Sequence, residues 1–199
     1  MKENNKLMKS AIFAVLVACL VMSSCTKDQI KSYPEEDPLL EFLAVSGFSE
    51  TTARIVNSGN YEFGITFTSK VNGMIKAIRI KIPDNATNIR VTFWDASNQE
   101  VIRTETVNNV SNGIDLVHDI QSLPIEMNKR YTITFNSDDW YIRKRVDDTP
   151  AMYPITVGNI TIESYGSGTG RQQVFPTLTS TSYYAGDLFS FSNKLIKQH

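Results

Sequence analysis

The 199-residue chain is poor in the residues that carry site chemistry. It has two cysteines, Cys19 and Cys25, and two histidines, His118 and His199. So few thiols and imidazoles exclude a disulfide framework, a cysteine-held metal centre and a pair of histidines spaced for zinc. Charge of one sign is also lacking, with 20 Lys and Arg against 21 Asp and Glu. Without a basic stripe there is no electrostatic footprint for nucleic acid. The one long apolar run, Ala11 to Met22 (AIFAVLVACLVM), is shorter than the roughly 20 residues a bilayer-spanning helix needs. No segment keeps helical periodicity past two turns, no internal repeat or low-complexity tract is present, and no serine sits in a nucleophile elbow.

The apolar run has a basic flank, Lys2, Lys6 and Lys9, and is followed by the small pair Ser23-Ser24. That is the layout of a secretory signal. Met22-Ser23-Ser24-Cys25 resembles the lipobox of bacterial lipoproteins, with Met22 where leucine is more usual. Ser-Cys-Thr-Lys-Asp looks like the start of many Bacteroidetes lipoproteins. The resemblance implies cleavage after residue 24 and lipidation of Cys25, whose thiol is then used. Two or more acyl chains, at about 0.8 kcal/mol per buried methylene, give stable anchoring. The expectation is an outer-membrane lipoprotein of the cell envelope, tethered and not spanning, with the face that displays it left open.

Removing residues 1–24 takes away three lysines and Glu3, leaving 17 basic against 20 acidic side chains. Thr26 to Pro38 (TKDQIKSYPEEDP) is polar, aperiodic and broken by Pro34 and Pro38. With Cys25 it is expected to form a tether over 25–38, reaching roughly 40 Å if extended at ~3.3 Å per residue. Residues 39–199 are expected to form one domain, stabilised by an ordinary apolar core.

From Glu62 onward, apolar residues recur at every second position, the period of a strand with one buried face. Phe63, Ile65 and Phe67 share a face, as do Ile89, Val91 and Phe93, and Tyr131, Ile133 and Phe135. Met74, Ile78, Ile80 and Ile82 form another set, with Lys76 as its one break, and Ile114, Leu116 and Ile120 a further one. Strands are also expected near Val101 to Val107, Tyr141 to Val146, Ile155 to Tyr165 and Leu188 to Phe191. Asn- and Gly-bearing turns separate them, among them Val71-Asn72-Gly73, Asn108-Asn109 and Asn112-Gly113. Short strands at this spacing predict an all-β antiparallel β-sandwich or jelly-roll-like single domain.

Glu62 to Ser69, leading to Val71-Asn72-Gly73-Met74-Ile75, resembles the opening of a bacterial domain-of-unknown-function family. Val91-Thr92-Phe93-Trp94-Asp95-Ala96 and Tyr131-Thr132-Ile133-Thr134-Phe135 fit that family's Trp-bearing hairpin and Tyr-bearing strand. Asn128-Lys129-Arg130 departs from the small residues usual there. The resemblance covers roughly Tyr61 to Phe191. It implies a β-sandwich and a surface role in carbohydrate-associated secreted proteins, and brings no catalytic residues.

Strand parity turns Trp94 away from the core, beside a turn. An exposed indole there would offer a plate for a sugar ring, whereas a covered one would seal the open end of the sandwich or a crossing loop; large aromatics favour the covered reading. Trp140 and Tyr141 follow Asn136, Asp138 and Asp139, setting aromatic plates beside hydrogen-bonding groups as polyol recognition requires. Tyr183-Tyr184, near Asp187, would form a third rim, and aromatic packing between strand ends is the plainer account of both. Asp138-Asp139 and Asp147-Asp148 could furnish oxygens for Ca²⁺, but no twelve-residue calcium loop is present and solvated turns explain them better. His118 shares the apolar parity of Leu116 and Ile120, as a structural histidine would. Gly166-Ser167-Gly168-Thr169-Gly170 lacks the following helix that a phosphate cradle needs, and is expected to be a flexible connection.

The expected function is that of a lipid-anchored binding module, for carbohydrate first, with no cofactor and no catalysis. Its expected partners are the membrane, a glycan and other envelope proteins. The alternative is a structural or adhesive assembly subunit binding a protein partner, for which Leu39 to Val56 would supply an exchangeable terminal strand or a large apolar patch.

Overall fold

The computed structural model describes residues 35–48, 51–184 and 193–194. Cys25, the expected signal segment and the expected strand at Leu188 to Phe191 lie outside the described residues. Among the described residues there are thirteen strands and one helix. β1 is Glu35–Glu36, β2 Thr51–Ile55, β3 Tyr61–Ser69, β4 Gly73–Ile80, β5 Ile89–Asp95, β6 Glu100–Val107 and β7 Leu116–Ile125. β8 is Arg130–Ser137, β9 Trp140–Lys144, β10 Ile155–Val157, β11 Ile160–Thr169, β12 Leu178–Thr179 and β13 Asn193–Lys194. The helix, α1, is Pro38–Ser46.

The strands pair antiparallel throughout, giving the β-sandwich that the alternation predicts. The larger sheet has the order β10-β11-β3-β8-β5-β6, with β12 also pairing β11; the smaller has β1-β13-β4-β7; β2 and β9 pair separately. Phe63, Ile65 and Phe67 of β3, Ile133 and Phe135 of β8, and Val91 and Phe93 of β5 all enter the core. They meet Ile75, Ile78 and Ile80 of β4 and Leu123 and Ile125 of β7. Lys76 breaks the β4 pattern because a bulge lies between Ile75 and Ala77. The bulge shifts the phase by one residue, so Ile75, not Met74, is fully buried. Ile114 was expected to point inward, but it precedes β7 and is 59% exposed.

Several boundaries differ from the sequence reading. Glu35 to Asp37, expected in the tether, are part of the fold. Glu36 accepts hydrogen bonds from the backbone and side-chain amides of Asn159, and Asp37 pairs with Arg79 at 2.5 Å. Leu39 to Val56 is not one strand but α1 followed by β2. Pro38 starts the helix, Asp37 caps it, and Gly47 closes it with a left-handed φ of 78° that suits glycine. Leu39, Phe42, Leu43 and Phe48 of this region are buried. Ile155 to Tyr165 is a hairpin, turning at Gly158-Asn159. Gly166 to Thr169 are no loose connection, because they continue β11 between β3 and β12.

Strand direction gives the sandwich two distinct ends. The turns after β3, β5, β7 and β10 gather at the Asn159 end: Lys70 N–H donates to the Asn159 carbonyl, and Asn128 N–H to that of Ser69. The starts of β3, β5 and β7 and the ends of β4, β6, β8 and β11 gather at the other, the Asn85 end. Through β13, β1 runs in the same sense as β4, so the chain comes into the fold at the Asn159 end.

Candidate functional site

The outer face of the larger sheet carries a buried polar network. Glu62 is fully buried and holds Arg90 at 2.8 Å, the Thr134 hydroxyl at 2.7 Å and the Asn136 amide at 3.1 Å. The Trp94 indole donates to Thr134 Oγ1 at 2.9 Å. Over this face passes a strap, residues 170–177, that leaves β11 and returns as β12. The Arg171 carbonyl accepts from Arg90 at 3.0 Å. Gln173 donates to the hydroxyls of Thr92 and Thr104 at 2.9 and 2.7 Å. Phe175 meets the Trp94 ring edge-on at 5.7 Å. The strap lies close because β11 presents glycines: a Cβ on Gly166 would sit 3.2 Å from the Leu178 carbonyl, and one on Gly168 3.1 Å from Val174. Trp94 therefore has the parity expected of it but is only 4% exposed, sealed by a crossing segment. It offers no open plate to a sugar.

The second aromatic group is also enclosed. Trp140 is 8% exposed, its ring 4.7 Å from Phe63 and 5.2 Å from Tyr61. Asp139 is buried and accepts from Asn57 N–H at 2.7 Å. Burial pushes its carboxyl above the usual range, the Asn57 bond opposes this, and Asp138 and Asp84 add to the rise. Asp138 is half-buried and its carbonyl accepts from Ser58 N–H. Tyr141 is half-buried in β9, opposite Arg54. Tyr184 is fully buried among Phe42, Phe48 and Tyr165, while Tyr183 is exposed with its ring edge-on to Tyr165. These residues line the core and its margins; they do not converge on one open rim.

His118 is half-buried opposite Ile78. Asp147 accepts from the backbone and hydroxyl of Thr149, which holds its carboxyl below the usual range, with Arg145 alongside. Asp148 pairs with Lys144. Among the described residues, no three His, Cys, Asp or Glu side chains are grouped to hold a metal ion.

An open groove of about 330 Å³ does exist, at the Asn85 end, lined by Asn85, Ala86, Thr87, Asn109, Val110 and Ser111. Its floor is an antiparallel bridge in which Ala86 and Val110 exchange both backbone hydrogen bonds at 2.9 Å. Pairing at 86 and 110 sets Asn85 opposite Ser111 and Thr87 opposite Asn109. Val110 is buried below, while these four polar side chains are exposed above. Asn85 Oδ1 accepts from Asn112 N–H at 2.9 Å, fixing one wall, and Asn109 holds a positive φ of 55° at the other. Asn109, expected from the sequence in a turn between strands, thus forms part of the groove wall, and the paired tripeptides Asn85-Ala86-Thr87 and Asn109-Val110-Ser111 are its mark in the sequence.

Residues 49–185 match a family profile described as a domain of unknown function, DUF4082. The chain belongs to the DUF4082 family. The match runs from just before β2 to just after Tyr184, so the network, the strap and the groove all lie within the DUF4082 domain, and α1 lies ahead of it. No curated protein matches the chain.

Proposed function

We propose that this DUF4082 protein is a lipid-anchored binding module of the cell envelope that presents the Asn85 end of its sandwich to carbohydrate. The observation that carries the reading is polarity. The chain comes into the fold at the Asn159 end, where Glu36 grips Asn159, whereas the groove lined by Asn85, Thr87, Asn109 and Ser111 lies at the other end. A tether leading from Cys25 to Glu35 would leave those loops pointing away from the lipid surface. Amides and hydroxyls suit polyols, since each supplies both a donor and an acceptor.

The test has two arms. Full-length protein and Cys25→Ala would be expressed with radiolabelled palmitate; label on the first alone is expected. The lipidated protein would then be applied in detergent to a glycan panel. An unlabelled parent sinks the anchor, and a blank panel sinks the ligand class.

A protein partner is the second reading. It is favoured by the edge strand β6, which exposes Val101 and Ile102, and by the neighbouring edge β7, which exposes Val117.

A further inference from the structure

The groove at the Asn85 end has a local two-fold character. Two tripeptides of like design, Asn85-Ala86-Thr87 and Asn109-Val110-Ser111, run antiparallel about the Ala86–Val110 bridge. Rotation about the centre of that bridge carries Asn85 onto Asn109 and Thr87 onto Ser111. Each end of the groove thus holds one amide from one segment and one hydroxyl from the other. An amide can donate and accept at once and a hydroxyl does both, so each end matches vicinal hydroxyl groups. No Lys, Arg, Asp or Glu lines the groove, so it gives a charged ligand no ionic partner. At about 330 Å³ the groove is near the lower limit of the ~300–1,000 Å³ range of small-molecule sites. Its mouth is open to solvent rather than enclosed.

Resting on the carbohydrate reading above, we propose that this groove is the saccharide subsite, and that it takes an internal stretch of an uncharged, unbranched polysaccharide. A walled pocket would select a chain terminus, while an open trough with equivalent ends accommodates a chain passing through. Like residue types at both ends let an amide and a hydroxyl meet the chain in either direction. Binding rests on hydrogen bonds without an aromatic plate, because Trp94 and Trp140 are buried elsewhere.

The experiment uses the full lipidated chain in detergent. Its mobility would be followed by affinity electrophoresis through gels containing a neutral α-glucan, a neutral β-glucan, a neutral mannan or polygalacturonate. The variants are Asn109→Gly, which keeps a residue at home at positive φ, and the near-isosteric Thr87→Val, singly and together. Retardation by at least one neutral polymer is expected, unchanged between about 0.05 and about 0.5 M salt. The double variant, losing both groups at one end, should bind roughly tenfold more weakly. Tryptophan emission of the unaltered protein should stay constant on binding, a readout that stands even if a variant fails to fold.

Equal retardation of parent and folded double variant would overturn the groove and leave the carbohydrate module standing. A shift in tryptophan emission on binding would also count against the groove. Retardation by polygalacturonate alone, or binding that salt abolishes, would overturn the neutral ligand. No retardation by any polymer would overturn the groove and the carbohydrate reading together.

Discussion

Glu62 and Arg90 join across an intervening strand. The carboxylate on β3 reaches the guanidinium on β5 at 2.8 Å, passing over β8, whose Thr134 and Asn136 also donate to it. Glu62 has no exposed surface, whereas the Arg90 side chain keeps 24% of its own. Removing one partner from a buried pair typically costs about 3–5 kcal/mol, but removing both can be neutral. Arg90→Met should lower stability by about 3 kcal/mol, and Glu62→Leu by somewhat less because Arg90 can reach water. The double variant should recover most of either loss. Urea unfolding of the four proteins checks this, and strictly additive losses would show that the pair is not a unit.

Phe175 closes the strap over Trp94. Phe175 is half-buried, so Phe175→Ala should cost about 1 kcal/mol and admit water to the indole. The expected sign is a red shift of tryptophan emission at temperatures where the far-ultraviolet spectrum is unchanged. An unshifted spectrum would mean that the strap stays down without its aromatic anchor.

Asp95 is held down to a pKa of about 2 by the Ser97 hydroxyl, then by Lys129 at 3.0 Å and the Ser97 N–H. A folded-state value below the ordinary ~3.9 means that its contribution is complete above that value and disappears as pH falls toward about 2. Asp95→Asn should therefore flatten the acid side of the melting-temperature profile. Parallel profiles for parent and variant below pH ~4 would refute the assignment.

Asp139 slopes the other way. Burial raises its pKa in the folded state, so its carboxyl favours folding below the unfolded value and loses that advantage as pH rises through the folded one. Asp139→Asn keeps an acceptor for Asn57 N–H and removes the buried charge. At neutral pH it should melt at or above the parent temperature, whereas Asp139→Ala should lose about 1–3 kcal/mol by orphaning that N–H. A less stable Asn variant would contradict the argument.

Tyr153 stacks on Phe42 at 6.0 Å, yet its buried hydroxyl has no hydrogen-bond partner among the described residues, and burial raises its pKa. Tyr153→Phe keeps the ring and deletes the orphan. Thermal unfolding should show equal or greater stability, the gain reaching at most about 1–3 kcal/mol. A clear loss would reveal a partner for the hydroxyl.

The sandwich was legible because period-two alternation is local: Phe63-Ile65-Phe67 and Tyr131-Ile133-Phe135 declare their buried face without reference to other segments. Lys76 was an anomaly in that pattern, and the bulge beside it is the reason. α1 went unread although its caps, Asp37-Pro38 and Gly47, are in the sequence, because nine residues give too few turns for a period to emerge. Trp94 shows where local reasoning stops. Parity places it opposite the core, but its cover comes from Phe175, far along the chain, on a strap that follows the glycines of β11. Those glycines are what let two backbones approach. The groove residues escaped for the same reason, since Asn85 and Asn109 become neighbours only through the Ala86–Val110 bridge.

The grip of Glu36 on the Asn159 turn has a mechanical consequence. Tension arriving along the chain ahead of Glu35 would meet a carboxylate clamped by two amides, then the Asp37–Arg79 ion pair, before it could peel any strand that frames the core. Such a load would fall at the Asn159 end, opposite the loops around Asn85.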